Sequence, residues 1–152
     1  MVLDMIVRQG NKWDFPKIIL MLRNYKEVSP WKVLRSCEDE TYIMKLLTTI
    51  LVSGCILISE ENNEITGMLL ALKTRNIWDP SLYEMNELCY WVEPEHRGST
   101  AGYRLIKAYK TICDELKSQN LILSYTISKM VNSPDLKYEK FGFAKEDEKW
   151  RQ

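Results

Sequence analysis

Between Met85 and Leu116 the chain reads as a strand, a proline turn, a loop of small residues and a long amphipathic helix. Few architectures accommodate that order. Met85–Val92 is strand-like and is closed by Pro94, while Ala101–Leu116 repeats its apolar residues at helical spacing. Tyr103, Leu105, Ile106, Tyr109, Ile112, Cys113 and Leu116 form the buried stripe, with Lys and Glu on the other side. A strand feeding directly into such a helix predicts a sheet with the helix packed back on its face. The helix start also has chemical content. Its first N–H groups lack internal partners and carry partial positive charge. Small residues let an anion approach those donors, and Ser99 and Thr100 add hydroxyls. The same residues serve equally well as a simple cap and turn.

The flanking segments extend the pattern. Met1–Arg8 alternates as a first strand and ends at Gln9-Gly10-Asn11. Asp14 is placed to cap a helix with Pro16 in its first turn, stopped by Ser29-Pro30. A second helix begins near Asp39–Glu40 and ends at Gly54. Cys55–Glu60 and Ile65–Lys73 form a hairpin across Glu61-Asn62-Asn63-Glu64. Leu121–Ile127 is a short apolar strand, Pro134–Glu139 a short helix, and the charged tail after Phe143 a last edge strand. Order β, α, α, β, β, β, α, β, α, β predicts an α/β (α+β) layer structure: one mixed, mostly antiparallel sheet of about six strands, helices on both faces.

Composition narrows the function. With 152 residues the chain has the size of one domain, and no linker or repeat divides 1–152. Twenty-one basic residues balance 21 acidic ones, so charge gives no case for a nucleic-acid or anionic-membrane partner. Tyr42–Ile58, the most hydrophobic stretch, contains Lys45, Thr48, Thr49, Ser53 and Gly54 and reads as a helix leading into a strand, not a span. Four cysteines without a CxxC pair, and one histidine, argue against a zinc site. Their apolar neighbours suggest buried free thiols, and with no secretory signal the expected compartment is the cytoplasm.

The run Val92-Glu93-Pro94-Glu95-His96-Arg97-Gly98-Ser99-Thr100-Ala101-Gly102-Tyr103-Arg104-Leu105 resembles motif A of the GNAT superfamily of N-acetyltransferases. There, Arg/Gln-x-x-Gly-x-Gly/Ala binds the coenzyme A pyrophosphate through main-chain amides. Arg97, Gly98, Ser99, Thr100, Ala101 and Gly102 occupy those positions, with Thr100 where the family has glycine. Its side chain would narrow the approach of a phosphate. Leu136-Lys137-Tyr138-Glu139-Lys140-Phe141-Gly142-Phe143 is similar to a second family segment, Leu-Tyr-Glu-Lys-x-Gly-Phe. The order of elements matches across nearly the whole chain.

The resemblance implies acetyl-CoA as co-substrate, no metal, and direct acetyl transfer to a primary amine of a small molecule or protein. Three tasks follow: hold the oxyanion, take a proton from the amine, and protonate sulfur. By position Trp91 and Val92 would contact the pantetheine arm, with the Val92 N–H facing the thioester oxygen. Tyr138 matches the general-acid tyrosine, and Asn132 resembles an asparagine that contacts the cofactor. For the base, Glu87 lies on the fourth strand, opposite in face to Leu88, Tyr90 and Val92 by alternation. Glu84 is further back, and either carboxylate could be a solvated edge charge. His96 sits in the turn, away from the expected thioester position. Trp78 and Tyr83 could line an acceptor pocket or cover a core edge. Self-association as a homodimer is left open, as is a catalytically weak GNAT-fold module that binds CoA or a protein partner.

Overall fold

Two asparagines reverse the chain at the centre of the sheet. Asn62 and Asn63 both adopt left-handed backbone (φ 52° and 65°), the geometry a two-residue hairpin requires. In the computed structural model, which describes residues 5–131, 133–134 and 136–152, they join β2 (Gly54–Glu61) to β3 (Glu64–Arg75). β1 (Met5–Gln9) lies antiparallel to β2, and β4 (Tyr83–Val92) antiparallel to β3. β5 (Ser124–Thr126) runs parallel to β4, giving the order β1-β2-β3-β4-β5.

Among the described residues three α-helices cover this sheet: α1 (Phe15–Glu27), α2 (Glu40–Ser53) and α3 (Ala101–Ser118). Ile18 and Met21 of α1 and Leu47 and Ile50 of α2 pack on Ile56, Ile58, Met68, Leu70, Cys89 and Trp91. Leu105, Tyr109 and Cys113 of α3 pack on the other face, against Leu57, Leu69, Ala71, Met85 and Val92. β2 and β3 are buried on both sides, which is why their sequences are almost continuously apolar. Each fully buried large side chain contributes about 1.5–3 kcal/mol.

Several expectations are corrected. The described residues contain five strands, not six, because the tail after Phe143 stays out of the sheet. Its six charges between Lys145 and Arg151 leave it no apolar face to bury. Only Ser124–Thr126 of the predicted 121–127 strand pairs. The short helix is a 3-10 turn, Tyr138–Phe141, ended by Gly142 at φ 92°, where a side chain would be strained. Asp14 makes no cap for α1; it binds both terminal nitrogens of Arg8 at 2.8 Å and accepts the Asn11 N–H. Cys37 is exposed, whereas Cys55, Cys89 and Cys113 are buried free thiols.

Candidate active site

β4 and β5 begin as neighbours and then part. Their last paired row is Asn86 with Thr126. There Asn86 Nδ2 donates to Thr74 Oγ1 (2.8 Å), Thr126 Oγ1 donates to Asn86 Oδ1 (2.9 Å), and Tyr109 Oη donates to Thr126 O (2.8 Å). Three strands and α3 are thus stitched together at the root of a fork. Just past it β4 carries a bulge: Ala71 faces Glu87 and Leu70 faces Cys89, so Leu88 is the extra residue. The bulge overturns the alternation argument. Ala71 belongs to the α3-facing core with Leu69, the partner of Tyr90, so the register puts Glu87 on the same side as Tyr90 and Val92.

Glu87 and Tyr138 meet at this fork through one residue. The Ser128 N–H donates to Glu87 Oε1 (3.3 Å), and Tyr138 Oη donates to the Ser128 carbonyl (3.0 Å). Glu87 is 8% exposed, and burial pushes its carboxyl up to about 7, with the Ser128 N–H pulling weakly the other way. Burial, and then the nearby Glu87 charge, raise the Tyr138 phenol above its ordinary value, so it holds its proton at neutral pH. The Lys129 ammonium lies 4.9 Å from the centre of the Tyr138 ring. Tyr25 of α1 is raised as well, by burial and by Cys89, Glu87 and Tyr138, which places α1's end beside the same cluster.

Beyond the bulge the main chain of β4 opens toward the gap. Glu93 N donates to Thr66 O (2.8 Å), a hydrogen-bonded pair. Alternation along the antiparallel ladder then turns the Val92 and Tyr90 backbone away from β3. The Val92 carbonyl accepts Arg97 Nε (2.9 Å), leaving its N–H on the cleft side. Trp91 is placed differently: its backbone pairs toward Met68, and its ring is buried edge-on to Tyr25. The Arg97 guanidinium stacks over that ring at 4.5 Å, holding a positive charge beside the turn.

At the start of α3, Ser99 Oγ donates to His96 O (2.7 Å) and accepts the Ala101 N–H (3.2 Å). It is occupied within the turn. Thr100 Oγ1 is directed to Met5 Sδ (3.6 Å). The amides of Gly98, Thr100, Gly102 and Tyr103 meet no acceptor among the described residues. Four free N–H groups and the Arg97 charge fit a pyrophosphate held by main chain. A Cβ on Gly102 would lie 2.6 Å from Tyr90 Oη, so a larger residue there must displace that phenol, whereas Gly98 has open space. Tyr90 Oη is buried and has no partner among the described residues. Asn132 lies outside the described residues.

The other candidates are engaged elsewhere. His96 Nδ1 lies 3.3 Å from Glu61 Oε2, and Glu84 receives Asn76 Nδ2 and Ser124 Oγ at 3.4 Å. Trp78 is 88% exposed, and Tyr83 lies beneath Lys73 and Arg75. No three His, Cys, Asp or Glu side chains among the described residues are grouped to hold a metal. No helix among them is long and apolar enough to cross a membrane. Sequence reasoning missed Ser128, Tyr25 and the Tyr90 hydroxyl. Ser128 acts by its main chain and carries no sequence signal; Tyr90 was readable as a phenol in a strand otherwise suited to apolar residues.

The fold recurs in solved acetyltransferases. An acetyltransferase of Trypanosoma brucei matches with a TM-score of 0.70 at 16% identity, covering 98% of this chain and 99% of its own. Glucosamine-6-phosphate N-acetyltransferase of Arabidopsis thaliana matches at 0.69 and 15% identity, covering 98% and 97%. A predicted acetyltransferase of Clostridium acetobutylicum, solved with acetyl-CoA, matches at 0.70 and 16% identity, covering 98% and 96%. At such identities the likeness is one of fold. No curated protein matches the sequence itself. The sequence profile of the acetyltransferase (GNAT) family, however, matches residues 21–143. The chain therefore belongs to the acetyltransferase (GNAT) family, and by that membership is an N-acetyltransferase.

Proposed function

We propose that residues 1–152 form one catalytic unit that moves the acetyl group of acetyl-CoA directly to a primary amine of a small molecule or protein. The observation that carries this reading is the convergence of Glu87 and Tyr138 on the two main-chain groups of Ser128, at the mouth of a forked β4/β5 pair. Acetyl-CoA supplies an activated thioester. The amides of Gly98, Thr100, Gly102 and Tyr103, with Arg97 beside them, hold its phosphates, and the open backbone of Tyr90 and Val92 lines the pantetheine arm. Glu87 takes a proton from the incoming ammonium, directly or through water, which frees the nitrogen lone pair. A β4 N–H steadies the charge that builds on the thioester oxygen. The Tyr90 N–H is the nearer to Glu87 along the strand, and Val92 lies two residues further on. As the C–S bond breaks, Tyr138 leaves the Ser128 carbonyl to give its proton to the departing sulfur, and the proton shed by the new amide nitrogen restores the phenol.

Glucosamine-6-phosphate is the amine named for the Arabidopsis relative, which supports a small, polar acceptor here. Three buried unpaired thiols suit a reducing cytoplasm. The test is amine-dependent release of free thiol from acetyl-CoA. The rate should rise with pH through about 7 as Glu87 ionises, and the rise should vanish in Glu87→Gln. Release that is absent with every amine, or independent of Glu87, would sink the assignment.

A further inference from the structure

One residue organises the turn that leads into α3. Pro94–His96 forms a 3-10 turn, and the His96 N–H donates to the Glu93 carbonyl (2.9 Å). The His96 carbonyl in turn accepts both the Ser99 N–H (3.2 Å) and Ser99 Oγ (2.7 Å). Ser99 Oγ then accepts the N–H of Ala101, the first residue of α3 (3.2 Å). The amides of Gly98, Thr100, Gly102 and Tyr103 lie within or just after this chain of bonds. The path of the turn therefore decides where those four N–H groups point.

The side chain of His96 ties this turn to the sheet. Its Nδ1 lies 3.3 Å from Oε2 of Glu61, the last residue of β2. Glu61 is 7% exposed, and its other oxygen, Oε1, is buried without a partner among the described residues. A carboxylate so far from water needs its donor, so parting it from His96 is costly. The contact holds the imidazole, and the turn with it, in one place. The same row of the ladder carries the helix start. Met5 pairs with Glu61 across β1 and β2; its Sδ accepts Thr100 Oγ1 (3.6 Å) and its carbonyl accepts Arg104 Nη1 (2.9 Å). Turn and helix thus rest at three points on one end of the sheet.

We propose that Glu61 is a positioning residue of the cofactor site. Through His96 and Ser99 it fixes the path of residues 96–101, and so aims the main-chain amides at the pyrophosphate of coenzyme A. The inference rests on the acetyl-CoA reading of the α3 start for its consequence, though not for its geometry. Glu61 itself touches neither cofactor nor acceptor. Amides already aimed at an anion bind it without the cost of ordering a loop. The tie to His96 also leaves the Glu61 charge partnered, so that a negative group can stand close to a phosphate site.

A double-mutant cycle on acetyl-CoA affinity, read by calorimetry, tests the link. Glu61→Ala and His96→Ala should each raise Kd about tenfold, and the double variant by about the same tenfold, because all three break one connection. Glu61→Gln keeps an acceptor for Nδ1 and should stay within about threefold of the wild type, which also serves if Glu61→Ala does not fold. In turnover the KM for acetyl-CoA should rise while kcat and the KM for the amine hold. Exchange of the Ser99 and Ala101 amides, resolved by NMR, should speed about tenfold in both alanine variants without ligand. An unchanged Kd, single effects that multiply to about a hundredfold, or a Glu61→Gln chain as weak as Glu61→Ala overturns the proposal. A wild type that does not bind acetyl-CoA overturns the cofactor reading instead. The exchange result then decides the positioning alone: faster at Ser99 and Ala101 supports it, and unchanged rates there overturn it.

Discussion

The two ends of the cleft are built from different materials. At the start of α3 the groups without partners among the described residues are main-chain amides, and the side chains around them are busy with the protein: Ser99 accepts the Ala101 N–H, Thr100 turns to Met5, Arg97 stacks on Trp91. At the fork the groups we assign to the chemistry are the side chains of Glu87 and Tyr138, and the main chain of Ser128 joins them. An amide donates whatever residue carries it, so the first end tolerates substitution as long as the backbone path is kept. The fork does not.

Substitutions at the two ends should therefore separate cleanly. The largest effect is expected for Glu87→Gln, a loss of roughly 10²–10⁴ in kcat, with acetyl-CoA binding retained. The same variant should alter stability against pH. Burial raises the folded carboxyl from 4.5 to about 7, so its stabilising contribution is full below about 4.5 and lost as pH rises through 7. That is a relative loss of about 3 kcal/mol across this window, which Glu87→Gln should abolish in melts at pH 5 and pH 8. Tyr138→Phe should slow thiol release by about a hundredfold while leaving the acetyl-CoA shift intact. An unchanged rate would remove the acid assignment.

At the other end, Gly102→Val should cost about 1–3 kcal/mol, because the new Cβ meets Tyr90 Oη, and should also weaken acetyl-CoA binding. Thr100→Gly restores the family residue at the position where this chain departs from the motif. Its hydroxyl already points to Met5, so stability should move by no more than about 0.5 kcal/mol. A large gain in acetyl-CoA affinity from Thr100→Gly would show that the side chain obstructs the phosphates after all.

The same division explains what was legible beforehand. Gly98, Gly102 and Tyr138 sit in local patterns, and α3 is an amphipathic helix of strict period, so the loop before α3 and the segment around Tyr138 could be singled out directly. The bulge at Leu88 could not. It depends on how β4 registers against β3, a non-local pairing, and it moved Glu87 to the opposite face from that counted by alternation. Ser128 was invisible because its role belongs to its peptide groups. The family resemblance places the Trp91 main chain against the pantetheine arm by position, but a strand offers its backbone to one side only at every second residue, and Trp91 pairs toward Met68. Position in the order predicts a strand for the tail, although its charges give it nothing to bury.

Occupation of the start of α3 by acetyl-CoA is the central claim, and a thermal melt of the wild-type chain tests it. Acetyl-CoA at about 100 times its dissociation constant should add about 2.7 kcal/mol of stability, a rise of roughly 5–10 °C for a chain of this size. The rise should be lost in Gly102→Val and kept in Glu87→Gln. A wild-type chain whose melting temperature does not move at millimolar acetyl-CoA would contradict the account.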